Sequence, residues 1–326
     1  MKTYFVITDV HSFYTQMMEA LTKNGFDINN DEHIIISCGD NFDRGDESLE
    51  VLNFLYSMLQ KDRIILVRGN HEDLFLDLVH REMFESYDIH NGTVKTLLAL
   101  NNPPLGSIWD ITLNSYKNYD KRIDELISKS VDYYETEHYI FVHGFIPLKP
   151  NKMSGALAYD KDWRNGRWAD ARWYNGMEHA KNGLNKTGKT IVCGHWHCSY
   201  GNVRQILGND KPYHVLHRAE FDTVHYTPEE LFKPYINEKE GIIGLDACTA
   251  FSGFSNCLVI KEDKLWKLKL VSPKLVFQMN PWRTNFSGAK LRPLHLKKVK
   301  ALSKGIQNTK EDPTMDLPIF PLIAQE

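Results

Sequence analysis

Three short apolar segments near the start of this chain each end on a residue that binds metal ions well. The first ends at Asp9, the second at Asp40 and the third at Asn70, which are 31 and 30 positions apart. A helical pattern lies between each pair of segments, so strand, helix, strand, helix and strand are expected to follow one another. Such crossovers favour a parallel sheet whose strands all end at one edge. The predicted strands are residues 4–8, 33–38 and 63–67.

Two later apolar segments, residues 139–142 and 190–193, end in the same way. Five clusters of carboxylate, amide and imidazole side chains therefore follow predicted strands. Divalent metals prefer these ligands, and two adjacent metals need about six or seven of them. The pattern predicts an α/β fold with a two-metal site at the strand ends. The clusters are Asp9-Val10-His11, Gly39-Asp40-Asn41-Phe42-Asp43-Arg44-Gly45, Gly69-Asn70-His71-Glu72, His143-Gly144 and Gly194-His195-Trp196-His197.

The remaining residues follow several different patterns. Residues from about 73 to 137 are mainly helical in pattern and are expected to cap the site, whereas about 201–240 is a polar insertion. Three strands with hairpin-like spacing are then expected, at 241–247, 255–260 and 264–270. We therefore expect a catalytic domain over residues 1–270 and a basic extension over residues 271–326.

The expected C-terminal extension carries the strongest charge asymmetry of the chain. Between Arg283 and Lys310 there are eight basic residues and no acidic ones, while the whole chain has a net charge of −3. The rest of the chain is therefore strongly acidic. A segment of this kind binds nucleic acid or packs on an acidic surface of its own protein, and the sequence leaves both interpretations open.

The composition is typical of a globular protein. Hydrophobic residues make up 42% and charged residues 25% of the 326 residues, which is ordinary for a folded domain. The first apolar stretch is too short for a signal peptide, and no apolar run is long enough to span a membrane. The five cysteines form no C-x-x-C pair and are expected to be reduced. We therefore expect a cytoplasmic protein without a membrane partner.

The order and spacing of the five clusters resemble those of a known family. The motif D-x-H alone is weak evidence for a family, because it often occurs by chance. The motif G-D-x-x-D-R-G followed by G-N-H-E is specific evidence. The chain is similar to calcineurin-like metallophosphoesterases and, through Arg44 and Glu72, to their phosphoprotein phosphatase (Ser/Thr phosphatase) branch. The resemblance covers about residues 1–270 and implies a four-layer α/β/β/α sandwich with a helical cap. Bacterial symmetrical dinucleoside tetraphosphatases are also similar, in Gly194-His195-Trp196, Leu245-Asp246-Ala247-Cys248 and Ser252-Gly253.

The resemblance further implies a site for two divalent metal ions, expected to be Mn²⁺, with Fe or Zn²⁺ as alternatives. Asp40 would bridge the ions, and a hydroxide between them would attack phosphorus. His71 would be the general acid for the leaving oxygen, oriented by Asp43. Arg44 would bind phosphate oxygens in a bidentate manner. The implied metal ligands are Asp9, His11 and Asp40 for the first ion and Asp40, Asn70, His143 and His195 for the second.

Two positions differ from the pattern of the phosphoprotein phosphatases. Many calcineurin-like enzymes use the second histidine of G-H-x-H as a ligand, but that branch usually lacks it. His197 is therefore expected either to bind a metal ion or to have a role outside the metal site, and the sequence leaves both alternatives open. The family also has a second glycine after its histidine-glycine pair, where this chain has Phe145, an aromatic residue close to the expected ligand His143.

A second phosphate-binding arginine is expected between the last two ligand-bearing strands. Arg164, Arg167 and Arg172 are the candidates, and the tryptophan-rich block around Arg172 favours that residue. The alternative is that these arginines stack on the neighbouring tryptophans as part of the packing.

The expected function is hydrolysis of a phosphomonoester by an enzyme that resembles Ser/Thr protein phosphatases. Hydrolysis of dinucleoside polyphosphates, such as diadenosine tetraphosphate, and removal of phosphate from RNA ends are alternatives with the same chemistry. Phosphoproteins or nucleotides are thus the expected partners, with nucleic acid as a further partner of the basic extension. A non-enzymatic alternative is a nucleic-acid-binding or pseudo-phosphatase scaffold. The presence of Asp40, Asp43 and His71 disfavours the pseudo-phosphatase.

Overall fold

The computed structural model describes residues 2–151, 154–208 and 211–261. The basic extension, the predicted strand at 264–270 and the expected domain boundary at residue 270 lie outside these ranges. The strands of the described chain are β1 (Thr3–Ile7), β2 (His33–Ser37), β3 (Ile64–Leu66), β4 (Tyr134–Glu135), β5 (Tyr139–Phe141), β6 (Leu148–Pro150), β7 (Leu157–Tyr159), β8 (Thr190–Cys193), β9 (Tyr235–Asn237), β10 (Ile242–Gly244) and β11 (Leu258–Lys261). Its α-helices are α1 (Tyr14–Lys23), α2 (Ser48–Gln60), α3 (Asn70–Arg81), α4 (Ser86–Asn91), α5 (Thr93–Leu100), α6 (Arg122–Lys129), α7 (Trp168–Ala171), α8 (Gly176–Lys181), α9 (Cys198–Leu207), α10 (Tyr213–Ala219), α11 (Pro228–Phe232) and α12 (Thr249–Ser252).

The first sheet has four strands in the order β11-β1-β2-β3. β1, β2 and β3 are parallel, and their register places Ile7 beside Ser37 and Ser37 beside Leu66. The three carboxyl ends are therefore level at one edge of the sheet. The predicted βαβαβ arrangement is confirmed, and its three ligand-bearing loops start side by side.

The second sheet has five strands in the order β4-β5-β8-β10-β9. β5, β8 and β10 are parallel, while β4 and β9 pair antiparallel at the two edges. Phe141 lies beside Val192 in this register, so β5 and β8 also deliver their following loops to one edge. The strands predicted at 139–142 and 190–193 are thus confirmed.

Alternate residues of the central strands belong to different apolar clusters. Ile35 of β2 packs outward with helices, whereas Ile34 and Ile36 belong to an inner cluster. Ile191 of β8 likewise packs outward, and Val192 joins the same inner cluster. Because this inner cluster takes residues from both sheets, the sheets pack face to face. Helices cover each outer face, and the expected four-layer α/β/β/α fold is confirmed.

The helical layer over the first sheet is formed by α1, α2, α3, α5 and α6, which share one apolar cluster with the sheet. Helices are thus present where the sequence predicted them between residues 73 and 137, and they extend this layer. α5 also touches the edge that carries the ligands, because Thr93 contacts Asp43. The idea that the whole segment caps the site stays a prediction. Helices α7, α8 and α9 pack on the outer face of the second sheet.

The predicted hairpin between the strands at 241–247 and 255–260 is wrong. β10 pairs with β8 and β9 in the second sheet, whereas β11 pairs antiparallel with β1 in the first, placing Tyr4 beside Ile260. The apolar pattern predicted each strand but not its partner, because pairing across the sandwich is non-local. The insertion at 201–240 contains α10, α11 and most of α9. Together with α12 these helices enclose a small apolar cluster that includes Val203, Leu231 and Phe232.

None of the helices in the described ranges combines the length and the apolar character needed to cross a membrane. The five cysteines are unpaired, and four of them are buried. Cys193, at the end of β8, lies in the outer cluster of the second sheet, while Cys38, directly after β2, lies in the inner one. These thiols therefore contribute to the apolar core.

Candidate metal centre

Asp40 lies at the centre of the candidate site, in the loop after β2. It is 1% exposed, and its Oδ2 atom lies 3.2 Å from Nε2 of His143. Nε2 of His11 and Nε2 of His71 each lie 3.8 Å from the same oxygen. Loops after β1, β3 and β5 thus bring three imidazoles to one carboxylate.

The potential metal ligands form two groups that share Asp40. Within each group, the ligand atoms lie within 4.8 Å of one another. Asn70 lies beside the second group, because its Oδ1 is 2.8 Å from Nε2 of His143. Two groups joined by one carboxylate are what a pair of adjacent divalent cations requires. The groups are His11, Asp40, His71 and Asp40, His143, His195, so His71, the expected general acid, takes the place that the resemblance gave to Asp9.

Asp9 lies near the shared carboxylate, although neither group includes it. The backbone N–H of His195 donates to its two carboxylate oxygens at 3.2 and 3.0 Å, and the hydroxyl of Thr8 donates at 2.5 Å. Burial raises the pKa of Asp9 well above its ordinary value, and the carboxylates of Asp246 and Asp40 raise it further. A cation beside Asp9 would favour the ionised form, so the position is consistent with its predicted role as a ligand.

The two ring nitrogens of His11 and His143 have separate partners. Nδ1 of His11 lies 2.9 Å from the carbonyl oxygen of Phe42, and Nδ1 of His143 lies 2.8 Å from that of Cys38. Because a carbonyl oxygen only accepts, Nδ1 carries a proton in both rings and Nε2 is directed to Asp40. This arrangement is typical of histidines that bind a metal through Nε2.

Charge is unevenly distributed in the buried cluster. Burial lowers the pKa of His143, but Asp40 more than compensates and raises it to about 10. Burial would raise the pKa of Asp40, yet His143 and His71 outweigh it and hold that pKa well below its usual value. Burial, with His143 as the next cause, lowers the pKa of His195 to about 3. Asp40 is therefore a buried anion that attracts cations, and His195 is a neutral imidazole that is able to bind one.

The loops that carry these residues contain much left-handed backbone. The φ angle is +48° at Asp9, +47° at His11, +55° at Asp40 and +65° at His195. Such a conformation costs a non-glycine residue roughly 1–2 kcal/mol, and strained residues of this kind gather at functional sites. The sharp turns of these loops are therefore formed in part by the predicted ligand residues themselves.

Gly39 and Gly69 allow the loops after β2 and β3 to approach each other. A Cβ at Gly69 would lie 2.1 Å from Oδ1 of Asp40, and a Cβ at Gly39, where φ is +90°, would lie 2.5 Å from the backbone nitrogen of Gly69. Glu72 then joins the loops, because its Oε2 accepts from the N–H groups of Asp40 and Gly69 at 3.0 and 2.8 Å. Its Oε1 accepts from the N–H of Asn41 at 2.9 Å. The sequence motif contains Glu72 but did not reveal this role.

His71 is oriented by a hydrogen-bond network that reaches α5. Nδ1 of His71 lies 2.6 Å from Oδ2 of Asp43, the contact that the resemblance implies. The hydroxyls of Thr93 and Thr96 donate to Asp43 at 2.9 and 2.7 Å. Sequence reasoning missed both threonines, because they lie far along the chain from Asp43. Their i, i+3 spacing just after Gly92, which places them on one helical face, is the signal that was available.

Arg44 lies on the turn that follows Asp43, with φ at +61°. The turn packs on the start of α5, since a Cβ at Gly92 would lie 2.2 Å from the backbone nitrogen of Arg44. Burial is the main cause that lowers the pKa of His11 and of His195, and the charge of Arg44 adds to it in both cases. The guanidinium therefore lies within electrostatic reach of both ligand groups, where a phosphate would bind.

Arg172, the favoured second phosphate-binding residue, lies in an ion-pair network. Its Nη1 is 2.7 Å from Oδ2 of Asp73, and its Nη2 contacts Asp132. The residue is 8% exposed, so phosphate would have to compete with both carboxylates for this guanidinium. Arg164 lies 4.3 Å above the ring of Trp163, which matches the packing alternative for that residue. Phosphate binding by Arg172 stays a prediction.

His197 lies apart from the two ligand groups and faces aromatic residues. Its Nε2 is 3.9 Å from Oδ2 of Asp246, and its ring centroid is 5.8 Å from that of Phe221 and 6.3 Å from that of Phe232. Neither ligand group includes His197, and its binding to a metal ion stays a prediction. Phe145 is fully buried in the outer apolar cluster of the second sheet, so its ring does not occupy the site.

The donor atoms fit a pair of divalent cations. They combine carboxylate, amide and imidazole ligands, which suit Mn²⁺, Fe and Zn²⁺. Without a metal, the proton on His143, whose pKa Asp40 raises to about 10, balances the charge of Asp40, and a bound metal would take over that role. Within the described residues, the site therefore contains His and Asp groups that are able to hold divalent metal ions.

Known proteins to which the chain is similar include phosphatases and nucleotide hydrolases. The chain is similar to a symmetrical bis(5'-nucleosyl)-tetraphosphatase of Buchnera aphidicola subsp. Acyrthosiphon pisum (strain Tuc7), with 42% identity over 80 residues, which cover 24% of this chain and 27% of that protein. It is also similar to serine/threonine-protein phosphatase 2 of Salmonella typhimurium, with 38% identity over 88 residues, which cover 27% of this chain and 38% of that protein. The chain thus spans roughly a quarter to two fifths of the length of these relatives.

Among solved structures, the chain is similar to a cold-active protein-tyrosine phosphatase of a Shewanella species. The TM-score is 0.46 and the identity 16%, over 80% of this chain and 76% of that chain. The family model for calcineurin-like phosphoesterases matches residues 2–199, which include every predicted metal ligand. This match covers more than half of the chain and agrees with the fold. The chain belongs to the calcineurin-like phosphoesterase family.

Proposed function

We propose that this protein hydrolyses phosphomonoesters with a pair of divalent metal ions. The observation that carries the proposal is the sharing of Asp40 by two ligand groups. Mn²⁺ is the metal we favour, with Fe and Zn²⁺ as alternatives, because the ligands are carboxylate, amide and imidazole. Such a metal pair, when bound, neutralises phosphate charge and lowers the pKa of an attacking water.

The side chains around the metal ligands would carry out the remaining steps. Arg44 would hold phosphate oxygens with its guanidinium. His71 would hold on Nε2 the proton that the leaving oxygen requires, because its Nδ1 is engaged by Asp43. Asp43 in turn is fixed by the hydroxyls of Thr93 and Thr96, so the imidazole keeps one orientation.

Metal content and turnover of Asp40→Asn test the proposal. Protein reloaded with Mn²⁺ should hold two ions per chain by elemental analysis. Asp40→Asn should hold fewer and should lose hydrolysis of p-nitrophenyl phosphate, because the amide weakens both ligand groups. Asp88→Asn is a matched control, since Asp88 is equally buried but pairs with Arg81. One ion per wild-type chain, or wild-type turnover in Asp40→Asn, would contradict the two-metal proposal.

Dinucleoside polyphosphates are a second candidate class of substrate. Relatives named bis(5'-nucleosyl)-tetraphosphatase favour them, whereas the relative named serine/threonine-protein phosphatase 2 favours phosphoproteins. Assays with Mn²⁺ should compare a phosphoserine peptide, diadenosine tetraphosphate and a 5′-phosphorylated RNA. The phosphomonoester proposal expects a higher kcat/KM on the peptide or the RNA end, both of which are phosphomonoesters, than on diadenosine tetraphosphate, and the reverse order would favour the second class.

A further inference from the structure

Trp173 presents an exposed aromatic ring beside the candidate metal centre. It is 41% exposed, and its ring centroid lies 5.6 Å from that of His195, with an interplanar angle of 87°. His195 belongs to the ligand group that also contains Asp40 and His143. A phosphate held at that group would therefore have an indole ring nearby.

Close backbone packing fixes the turn that carries Trp173. The N–H of Trp173 donates to the carbonyl oxygen of Asp170 at 3.0 Å. Gly144 lies beneath the turn, where a Cβ would lie 2.5 Å from the carbonyl oxygen of Ala171 and 2.8 Å from that of Tyr174. The turn thus rests on the loop directly after β5. The backbone that carries the ring is therefore already fixed before a ligand binds, which lowers the entropy cost of binding.

The exposure of Trp173 differs from that of its neighbours in sequence. Trp163 is 1% exposed and Trp168 is 8% exposed, and both belong to the outer apolar cluster of the second sheet. Trp173 contributes little to that cluster and leaves much of its surface in solvent. A large exposed aromatic side chain next to a catalytic centre is typical of a binding surface.

We propose that Trp173 stacks on the nucleobase of a nucleotide substrate, an inference that rests on the proposed function because the metal centre must hold the phosphate. The fused rings of an indole offer a broad face to a purine, and stacking of this kind accepts any base. In a nucleotide, the ribose separates the phosphate from the base. The base would therefore lie over a neighbour of the metal ligands, and Trp173 is such a neighbour. The ring of an aryl phosphate, in contrast, begins at the phosphate oxygen and would lie closer to the ligands.

The test compares adenosine 5′-monophosphate and inorganic phosphate as probes of the full-length, Mn²⁺-loaded protein by isothermal titration calorimetry. Trp173→Ala should weaken nucleotide binding about 10-fold, the size expected for one lost base stack, and should change phosphate binding less than about twofold. Trp173→Phe should keep most of the nucleotide affinity, because it retains an aromatic face. Trp109→Ala is the matched control, since Trp109 is 88% exposed on the short 3-10 helix Ile108–Asp110.

Equal weakening of both probes in Trp173→Ala would overturn the inference, because Trp173 would then act through His195 on phosphate binding. Unchanged nucleotide affinity in Trp173→Ala would overturn it too. If tyrosine O-phosphate loses affinity in this variant while the nucleotide does not, the ring contacts an aryl phosphate and not a base. Failure of the proposed function is seen separately, as wild-type protein that does not bind inorganic phosphate in a Mn²⁺-dependent manner.

Discussion

Thr93 donates at 2.9 Å to Oδ2 of Asp43, the same oxygen that lies 2.6 Å from Nδ1 of His71. Thr93→Val keeps the shape of this buried side chain and removes the donor, so Asp43 is less firmly held against His71. We expect kcat for a substrate with a poor leaving group to fall about 5- to 10-fold, which corresponds to about 1 kcal/mol for one hydrogen bond. Thr93→Ser retains the hydroxyl and should recover most of the loss. Equal losses in the two variants would mean that packing, and not donation, matters at this position.

His71→Asn tests proton donation to the leaving oxygen. The variant should keep its metal content, while kcat should fall by roughly 10² to 10⁴ for an alkyl phosphate, the usual range for loss of a general acid. The loss should be much smaller for p-nitrophenyl phosphate, because p-nitrophenolate leaves without a proton. A loss of the same size for both leaving groups would assign His71 to metal or substrate binding instead.

At the residue scale, the sequence predicted those site residues that combine a metal-binding side chain with a position at the end of an apolar strand. Asp40 and Asn70 could be predicted because each ends an apolar strand and the strands follow at a βαβ spacing. The ion pairs of Arg172 could not, because Asp73 and Asp132 reach it only through the packing of distant elements. The threonine donors to Asp43 could not be predicted from the sequence for the same reason.

Among the elements, α10 carries a titratable group at its end that should affect stability. Glu220 is 5% exposed, and burial raises its pKa to about 7, although Arg204 acts in the opposite direction. An acid whose pKa is higher in the folded protein stabilises the fold most at pH values below its unfolded pKa, near 4.5. That contribution, about 3 kcal/mol, is lost as the pH rises from 4.5 through 7.

Glu220→Gln should therefore raise Tm at pH 8 by several degrees and flatten the fall of Tm between pH 5 and 7. Thermal unfolding followed by circular dichroism at several pH values measures this. Glu229→Gln, at an exposed position of α11, is the control and should follow the wild type. If Glu220→Gln shows the same pH dependence of Tm as the wild type, the raised pKa of Glu220 is contradicted.

Strands were predicted more reliably than their partners. Residues 34–36 and 191–193 are continuous apolar runs because both of their faces are buried, and each run lies within a strand of the structure. β11 has an equally clear strand pattern, but its partner β1 lies at the other end of the described chain. Strands so far apart in the sequence pair only when the two sheets pack together, and a local sequence pattern does not predict that packing.

At the scale of the whole molecule, the basic extension is expected to contribute no catalytic group, because the ligand loops are complete by residue 195. Deletion of residues 274–326 should leave turnover of p-nitrophenyl phosphate within a few-fold of the full chain. If the eight basic residues dock on the acidic body, Tm should fall on deletion, and the fall should shrink at high salt because exposed charges are screened. Loss of turnover in a truncated chain that still folds and binds two metals would mean that the extension completes the site.

The candidate ligands around Asp40 come from both sheets, with His11 following a strand of the first and His143 and His195 following strands of the second. During translation, the ligands of the first sheet are synthesised before those of the second. A nascent chain that ends before residue 143 has made the shared carboxylate but none of the imidazoles of the second group. Neither sheet alone offers both candidate ligand groups, so the two-metal proposal expects full metal loading only after the second sheet has closed on the first. Possession of both metals would therefore mark a chain whose two halves have joined.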